Sequence, residues 1–453
     1  MLLFQVLFAG LLLVTASKAK IGYFWHITDI HYDVHYSVKG DTRKNCWRTD
    51  VNGGAFYPDG RFGDHNCDSP WALVQSAARA MKAKHGDNVE FVLWTGDGLS
   101  RTAIGRSSEH QVSALQNLTS LLRNAFSSQF VFPVLGHDDP GSSPGERLSY
   151  GDLADFWRQW LPTEAIQTFK TGGYYTIEQK KHKLRIIALN TNLYSQTNAQ
   201  EDPSGQWLWL ESVLAKSLKN RETVYLVGHM GPGADERQPE AVPLFQEKFA
   251  RRYLRLVRKY AQIIVGQFFG HLHSDTFRLV YSDQGQPVSW MLMAPAVTPR
   301  RTNSGSANNP GLRLYKFDTD TGQVLDYTQY YLDLETANSR DQADWQPEYN
   351  LTTYYDLKHP ITPQSLHDLA QSFRSDPHST YFPRYYRANS VGLDSGECMA
   401  SCVHTHFCAI TKLDYTEFTH CQEAAASALA SSGPRLATVT LAAWLFAVTP
   451  FVT

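Results

Sequence analysis

The chain has 453 residues, of which 42% are hydrophobic and 19% are charged, and its formal net charge is −2. The length allows more than one domain, and the composition is that of a globular protein with a large core. Because the charge is near zero and no basic tract stands out, we expect no nucleic-acid polymer among its partners.

The first segment in chain order is apolar and covers residues 1–19, MLLFQVLFAGLLLVTASKA. An apolar run that closes on small residues is typical of a secretory signal peptide, here cut near Ser17 or Ala19. A buried N-terminal helix is the alternative, because no Lys or Arg precedes the apolar run. A signal peptide would place the chain in the secretory pathway.

Apolar, β-branched runs then alternate with amphipathic segments, which predicts an α/β fold of sheets with helices packed outside. The predicted strands are 21–28, 89–95, 130–135, 184–190, 223–227 and 262–269, followed by shorter ones at 290–293, 312–317 and 324–332. The predicted helices are 71–84, 111–126, 150–161, 206–218 and 242–260, and the chain becomes helical again from about residue 360.

Five of the predicted strands end in a short motif rich in Asp, His and Gly. Sites in layered α/β folds gather beyond the carboxyl ends of strands, so the five motifs can converge on one point. A single strand-end Asp or His is more often a turn residue, but five such motifs favour a shared site. They are Asp29-Ile30-His31, Gly96-Asp97, Gly136-His137-Asp138-Asp139, Gly228-His229 and Gly270-His271-Leu272-His273.

Imidazole and carboxylate are the ligands that borderline divalent metals prefer, and these ligand types alone would fit zinc, iron or manganese. Asp29 with His31, and His271 with His273, are two residues apart, so an extended segment would turn both side chains of a pair to one side. Two metal ions roughly 3.5–4 Å apart can activate water and clamp a phosphoryl group. We expect such a site, with Asp97 touching both ions. His26 lies inside the first strand, where we expect a buried, hydrogen-bonded residue.

The order of these motifs resembles that of the calcineurin-type metallophosphoesterases. The flanking sequences more narrowly resemble the acid sphingomyelinase-like phosphodiesterases, type 3b-like members in particular, from about residue 21 to residue 421. The resemblance implies a four-layer α/β/β/α sandwich of two mixed sheets over residues 20–335 and a small helical, disulfide-rich subdomain over residues 336–426. The sequences that carry it are FWHITDIHYD, CDSPW, WTGD, LNTNLY, GQFFGHLHSD, APAVTP and NNPGLRLY.

The resemblance also implies two zinc ions per chain and assigns ligands to each. The first zinc ion would be bound by Asp29, His31 and His273 together with the shared Asp97. Most of the second site would be formed by Asp97, His229 and His271.

The chain departs from its family at residues 136–139, where the family has Gly-Asn-His-[Asp/Glu]. Aligned without a gap, His137 replaces the Asn that binds the second metal, and Asp138 replaces the His that protonates the leaving group. With a one-residue gap, His137 keeps the acid role and the Asn ligand is lost. Imidazole can bind zinc, whereas a carboxyl group of ordinary pKa is a poor acid near neutrality. Relatives also carry a His where this chain has Arg101.

The six cysteines follow a predicted signal peptide and are even in number, which indicates disulfides. Locality favours the pairs Cys46–Cys67, Cys398–Cys402 and Cys408–Cys421, although sequence does not fix connectivity. Zinc binding by the last four is the alternative. Asn117 and Asn350 each begin an Asn-Leu-Thr sequon for N-glycosylation.

Residues 427–453 have the layout of a GPI-attachment signal, which is removed from the mature protein. Small residues at 424–428 precede a spacer with Pro434 and Arg435, and an uncharged hydrophobic tail covers 436–453. A transmembrane helix is the alternative. It is less favoured because the tail is near the lower length limit for a span and no Lys or Arg follows it.

We therefore expect a monomeric phosphodiesterase held by a GPI anchor on the extracellular face of the plasma membrane. The family implies that it cleaves phosphodiester or pyrophosphate bonds in sphingomyelin-type phospholipids or in nucleotides, and so modulates membrane lipid composition. The first alternative is a catalytically weakened regulatory membrane protein that binds metal and phospholipid. The second is a soluble, secreted nucleotide phosphodiesterase.

Overall fold

The computed structural model describes residues 20–48, 56–100, 108–139, 148–180, 182–195, 200–238, 243–300, 307–358, 360–375, 379–393 and 396–431. The predicted signal peptide, Arg101 and residues 432–453 of the predicted GPI signal lie outside these ranges. Within the described residues, no helix combines the length and the apolar character that crossing a membrane would require.

Twelve strands form two sheets of six strands each. The strands are β1 (Ile21–Ile27), β2 (Phe91–Trp94), β3 (Phe130–Pro133), β4 (Tyr175–Gln179), β5 (Leu184–Ala188), β6 (Thr223–Val227), β7 (Ile264–Phe269), β8 (Thr276–Tyr281), β9 (Pro287–Met293), β10 (Gly311–Asp318), β11 (Val324–Tyr331) and β12 (Gln346–Asn350). The first sheet has the order β12-β11-β10-β1-β2-β3, and the second has the order β4-β5-β6-β7-β9-β8. Both are mixed, since β1 pairs parallel with β2 but antiparallel with β10, and β5 pairs parallel with β6 but antiparallel with β4.

Aromatic side chains fill the space between the two sheets. The ring of Phe24 on β1 lies 5.7 Å from that of Tyr225 on β6 and 5.4 Å from that of Phe268 on β7. Successive residues of a strand point to opposite faces, so Trp25 turns to the outer face of the first sheet, where it meets Tyr330. Each strand near the centre is therefore buried on both faces, as helix-covered sheets require.

Helices cover the outer faces of the two sheets, and the C-terminal helices pack against β8 and β9. Helices α5 and α6 supply much of a separate apolar cluster on the second sheet. The helices are α1 (Trp71–His85), α2 (Ser108–Ala125), α3 (Tyr150–Phe156), α4 (Thr163–Gly172), α5 (Gln206–Asn220), α6 (Glu247–Lys259), α7 (Leu334–Arg340), α8 (Leu351–Tyr354), α9 (Pro363–Ser375), α10 (Tyr381–Asn389), α11 (Ala400–Thr411) and α12 (Tyr415–Ser431). The fold is thus two mixed sheets flanked by helices, as predicted.

The C-terminal helices share the core of the sheets. Helix α9 contacts β9 and helix α11 contacts β8. Leu366, Phe373 and Tyr385 belong to the same apolar cluster as Phe24 and Phe268. The helices after residue 360 therefore pack on the edge of the second sheet, and the domain boundaries predicted at residues 335 and 426 stay predictions.

Three strands and three helices were not predicted: β4, β8, β12, α4, α7 and α8. Strand β12 is at a sheet edge and is largely exposed, so its sequence QPEYN lacks an apolar alternation. Strand β4 is the edge of the other sheet and is half-buried along most of its length. Helix α3 ends at Phe156 rather than at residue 161, because the chain leaves the helix at Trp157 and buries Trp160 and Leu161 in the core.

All six cysteines form disulfides, and the pairs are Cys46–Cys67, Cys398–Cys402 and Cys408–Cys421, as locality favoured. The zinc alternative for the last four is wrong in this structure, since their sulfur atoms are bonded to one another. The sequon residues Asn117, on α2, and Asn350, at the end of β12, are both exposed. Glycosylation of either residue stays a prediction.

Candidate metal centre

The five motifs meet at one edge of the sandwich. Strands β1, β2 and β3 are parallel neighbours in the first sheet, and β6 and β7 are parallel neighbours in the second. Their carboxyl ends therefore lie together, and their seven candidate ligands form two groups. In each group the ligand atoms lie within 4.8 Å of one another: Asp29, His31 and His273 in the first group, and Asp97, His137, His229 and His271 in the second.

In the first group, three buried side chains face a common point. The Nε2 atoms of His31 and His273 are 3.2 Å apart, and Nε2 of His273 is 3.4 Å from Oδ1 of Asp29. Asp97 reaches this group as well, because its Oδ2 atom lies 3.6 Å from Nε2 of His31.

The same oxygen of Asp97 is the centre of the second group. It lies 2.8 Å from Nδ1 of His137 and 3.2 Å from Nε2 of His229. Nδ1 of His271 completes the group at 3.2 Å from Nε2 of His229. One carboxylate oxygen is thus shared by both groups, the position that the sequence predicted for Asp97.

Hydrogen bonds outside each group direct the ligand atoms inward. Nδ1 of His229 donates to the carbonyl oxygen of Thr95, and Nδ1 of His273 donates to that of Arg300, both at 2.8 Å. These bonds fix the tautomer, so each Nε2 atom presents a lone pair to the centre. The arrangement is that of a metal-binding His with an outer hydrogen-bond partner.

In each of the two carboxylates, Asp29 and Asp97, one oxygen is held by a main-chain hydrogen bond and the other faces the centre. Oδ2 of Asp29 accepts from the main-chain nitrogen of His271 at 2.9 Å, and Oδ1 of Asp97 accepts from that of Asp138 at 2.8 Å. Among the described residues, the other oxygen of each is buried and accepts no hydrogen bond. Buried acceptors that face the lone pairs of imidazoles are stabilised when a ring proton or a metal cation lies between them. The residues present therefore fit a divalent metal site.

The electrostatics of the centre reflect this charge density. Burial alone would raise the pKa of Asp97, but the charges of His137 and His229 hold it well below its usual range. Burial would likewise lower the pKa of His31, yet the nearby carboxylates of Asp29 and Asp97 raise that pKa to about 10. Protons and metal ions therefore compete for the same ring nitrogens.

The backbone of five of the seven candidate ligands is left-handed rather than extended. The φ angles are 49° at Asp29, 44° at His31, 49° at Asp97, 68° at His271 and 55° at His273. The predicted explanation for the two-residue spacing was therefore wrong, because β1 ends at Ile27 and β7 at Phe269, before the ligands begin. Non-glycine residues rarely adopt positive φ, and such strain concentrates at functional sites.

Two glycines are required by close approach of the loops. A Cβ atom at Gly136 would overlap Asp97, and one at Gly270 would overlap the side chain of Thr28. Each glycine therefore lets a ligand-bearing loop pack directly against the next one.

Sequence reasoning missed Asp139, which joins two of these loops. Its carboxylate accepts from the main-chain nitrogens of Gly136 at 2.8 Å, Asp97 at 2.9 Å and Gly98 at 2.8 Å. Asn192 holds the same loop from the other side, with Nδ2 2.8 Å from the carbonyl oxygen of Gly136. The available signal was the family pattern itself, in which an Asp or Glu follows the Asn-His pair.

The two residues of the altered motif lie at different depths. His137 has a side chain that is 30% exposed, while Asp138 is buried. Asp138 has Oδ1 3.5 Å from Nε2 of His137 and Oδ2 3.9 Å from Nδ1 of His31. His26, by contrast, is outside the centre. It is buried with Nε2 2.8 Å from Oγ1 of Thr95, as expected, and burial together with the charge of Arg313 lowers its pKa to about 3.

Two family descriptions match the chain: Calcineurin-like phosphoesterase over residues 22–275 and Acid sphingomyelin phosphodiesterase C-terminal region over residues 286–428. The human acid sphingomyelinase-like phosphodiesterase 3b is 36% identical over 89% of this chain and 91% of its own length. The chain belongs to the acid sphingomyelinase-like phosphodiesterases. It is thus a calcineurin-like, divalent-metal-dependent phosphoric diester hydrolase, and the predicted family resemblance is confirmed.

Other relatives of this family have different names. The Bos taurus cyclic GMP-AMP phosphodiesterase SMPDL3A is 37% identical over 88% of this chain and 90% of its own length. Among solved structures, a dimetal phosphatase from Danio rerio aligns with a TM-score of 0.41 at 14% identity, covering 68% of this chain and 95% of that one. That structural likeness is too distant to bear on the site.

Proposed function

We propose that this chain is a two-zinc phosphodiesterase of the outer cell surface that cleaves phosphodiester or pyrophosphate bonds in phospholipids or nucleotides. The single observation that carries the proposal is the pair of ligand groups that share Oδ2 of Asp97. When bound, two metal ions would supply positive charge to the phosphoryl oxygens and acidify the attacking water.

The first zinc ion would be held by Asp29, His31, His273 and the shared Asp97. All the first-group side chains are buried, so this end of the site excludes water and keeps the ligands in fixed positions.

The second zinc ion would be held by Asp97, His229, His271 and His137. We assign His137 as a ligand because its Nδ1 atom lies 2.8 Å from the shared oxygen and 3.1 Å from Nε2 of His229. This geometry supports the ungapped alternative, in which His137 replaces the family Asn. Support also comes from Asp139. In the ungapped alignment it takes the acidic position that ends the family pattern, and its carboxylate accepts hydrogen bonds from the main-chain nitrogens of Asp97 and Gly136.

Asp138 then occupies the position of the family's proton donor. Its contacts are with His137 and His31, two proposed ligands, and its side chain is 5% exposed. A carboxyl group in this position is a weaker acid catalyst near neutrality than imidazole. This substitution also supports the alternative function, a weakened enzyme that binds metal and phospholipid and regulates the membrane.

The family indicates the bond that is cleaved but leaves two substrate classes. Relatives that cover about nine-tenths of the chain at nearly the same identity are named for sphingomyelinase-like and for cyclic GMP-AMP phosphodiesterase activity. Both names imply cleavage of a phosphodiester next to a bulky group. We therefore keep phospholipid and nucleotide substrates as the two candidates for a monomeric enzyme.

The deciding experiment combines hydrolysis of bis(p-nitrophenyl) phosphate with elemental analysis of the same purified sample. We expect two zinc ions per chain and turnover that a chelator abolishes and zinc restores. Asp97→Asn should lose both activity and metal, while Asp320→Asn, at an exposed acid beside Lys20, should lose neither. A chain that holds one ion or none after careful preparation would refute the two-zinc site.

Cell-surface attachment is a separate part of the proposal. It is supported by three disulfides, by two exposed sequons and by the C-terminal small-residue cluster and uncharged tail. A GPI-specific phospholipase should release the protein from intact cells. Resistance to release, with residues 436–453 still present by mass spectrometry, would favour a transmembrane anchor instead.

A further inference from the structure

A short segment, residues 297–300, runs beside the first ligand group and is anchored to it through the main chain. The nitrogen of Thr298 donates to the carbonyl oxygen of Asp29 at 3.0 Å. The carbonyl oxygen of Arg300 accepts from Nδ1 of His273 at 2.8 Å. One imidazole ring therefore separates the backbone of Arg300 from the metal-facing atom of a proposed ligand.

The side chain of Arg300 is anchored close to His31, another proposed metal-binding residue. Its Nη1 atom lies 3.0 Å from Oδ1 of Asn45 and 3.4 Å from Oδ2 of Asp68, and both partners are buried. Asp68 precedes Ser69, whose nitrogen donates to the carbonyl oxygen of His31 at 3.0 Å. The guanidinium is thus paired with Asp68, whose charge acts on His31 and which precedes the residue bonded to the His31 main chain.

The side chain of Arg300 is more exposed than those of the two neighbouring histidines. The Arg300 side chain is 32% exposed, whereas those of His31 and His273 are 3% and 5% exposed. A guanidinium carries five N–H donors. Within the described part of the chain, the two acceptors of the Arg300 side chain contact Nη1, and no described acceptor contacts Nε or Nη2.

We propose that Arg300 binds a second phosphate of the substrate, next to the phosphoryl group that is cleaved. The proposal rests on the proposed function and narrows its substrate class to esters and anhydrides with an additional anionic group, such as nucleoside polyphosphates. The planar fork of a guanidinium matches two phosphate oxygens, and its position is fixed before the ligand arrives. The same charge repels a trimethylammonium group, so phosphocholine esters are the disfavoured class.

A purely structural role is the competing explanation. Arg300 also ties Asn45 and Asp68, the two residues that flank the Cys46–Cys67 disulfide, to the segment 297–300, so its loss could loosen the centre for every substrate. The two roles differ in selectivity, because a structural clamp supports all ligands alike whereas a phosphate-binding residue supports only those with a second anion.

The experiment measures binding of inorganic pyrophosphate and of inorganic phosphate to the zinc-loaded protein by calorimetry. Arg300→Gln should weaken pyrophosphate binding about 10- to 100-fold more than phosphate binding, the range of a charged hydrogen bond. In steady-state kinetics, it should raise KM for a nucleoside diphosphate far more than it lowers kcat. It should also lower the preference for that substrate over p-nitrophenyl phosphocholine. Arg43→Gln, which removes an Arg–Asp pair just before Asn45, is the matched control and should not alter the ratio.

Equal weakening of both anions, or no weakening of either, would overturn the proposal. If Arg300→Gln loses metal or unfolds, Arg300→Lys decides, because it can keep the ion pair with Asp68 but cannot make the forked contact. Unchanged selectivity for pyrophosphate in that variant would also overturn it. A parent protein that cleaves no diester yet binds pyrophosphate through Arg300 would refute the proposed function alone, and active protein without Arg300-dependent selectivity would refute this inference alone.

Discussion

The metal centre and the contact between the second sheet and the C-terminal helices both bury charge, but they balance it differently. At the contact, Arg278 and Glu236 are almost completely buried and form an ion pair at 2.5 Å. Tyr385 and Asn389 on α10 bring polar groups to the other oxygen of Glu236. At the metal centre, acceptors face acceptors.

This difference in charge balance shows which cluster depends on an ion that the chain does not supply. In the Glu236–Arg278 cluster the chain itself supplies the counter-charge, although Nε of Arg278 is buried without an acceptor among the described residues. Asp29 and Asp97 each keep one buried oxygen without a donor among the described residues. A bound cation stabilises these two buried oxygens. Removing a residue from the first cluster should therefore act on stability, and removing one from the centre should act on metal binding and activity.

The largest effect is expected for Asp97→Asn at the metal centre. The shared oxygen belongs to both groups, so both metal sites should weaken, by more than the about 10–100-fold that loss of an outer partner costs. Elemental analysis after dialysis and phosphodiesterase assays measure this. His31→Ala should mainly empty the first site. Retention of both ions in Asp97→Asn would contradict the claim that the metal centre, unlike the ion-pair cluster, depends on bound cations.

The next largest effect is expected for Glu236→Gln at the ion-pair cluster. The substitution leaves Arg278 buried without its counter-charge, which should cost about 3–5 kcal/mol of unfolding free energy. Urea unfolding at neutral pH measures this loss, and metal content should stay unchanged. Glu211→Gln, in an exposed pair with Lys259, is the control and should cost less than about 1 kcal/mol.

The same cluster predicts a pH dependence of stability. Burial would raise the pKa of Glu236, but the charge of Arg278 outweighs it and lowers the pKa from 4.5 to about 2. The depressed pKa means that this stabilisation is complete above about pH 4.5 and is lost as the pH falls toward 2. The difference in unfolding free energy between the parent and Glu236→Gln should therefore shrink across this window. A difference that stays constant would contradict the assignment.

The smallest effect concerns the altered motif at the centre. The double change His137→Asn with Asp138→His restores the family's ligand and acid. Because general acids contribute ~10²–10⁴-fold, activity on a poor leaving group should rise at least about tenfold, with little gain on a nitrophenyl ester that departs without protonation. His137→Asn alone should keep metal content and gain little activity. If it instead abolishes activity on the poor leaving group, His137 is the acid.

Much of the fold could be predicted because central strands carry a strong local signal. Strand β6 was predicted with its observed bounds, and β1 differs by one residue, since both are buried and almost wholly apolar. Edge strands β4 and β12 were missed, because a half-exposed strand has no such pattern. Which helices share a core with which sheet depends on contacts between distant segments.

The sequence by itself determined the residue types of the centre, their order and their place at strand ends, since these are local properties of the chain. Only the tertiary structure decided that Oδ2 of Asp97 is shared by both groups and that His137 faces it. It alone revealed the left-handed backbone of five of the ligands and the anchoring of Arg300 beside His273. These features arise where separate loops meet, and the physical reason is that hydrogen bonds between loops, rather than the preference of any one segment, fix where each ligand atom points.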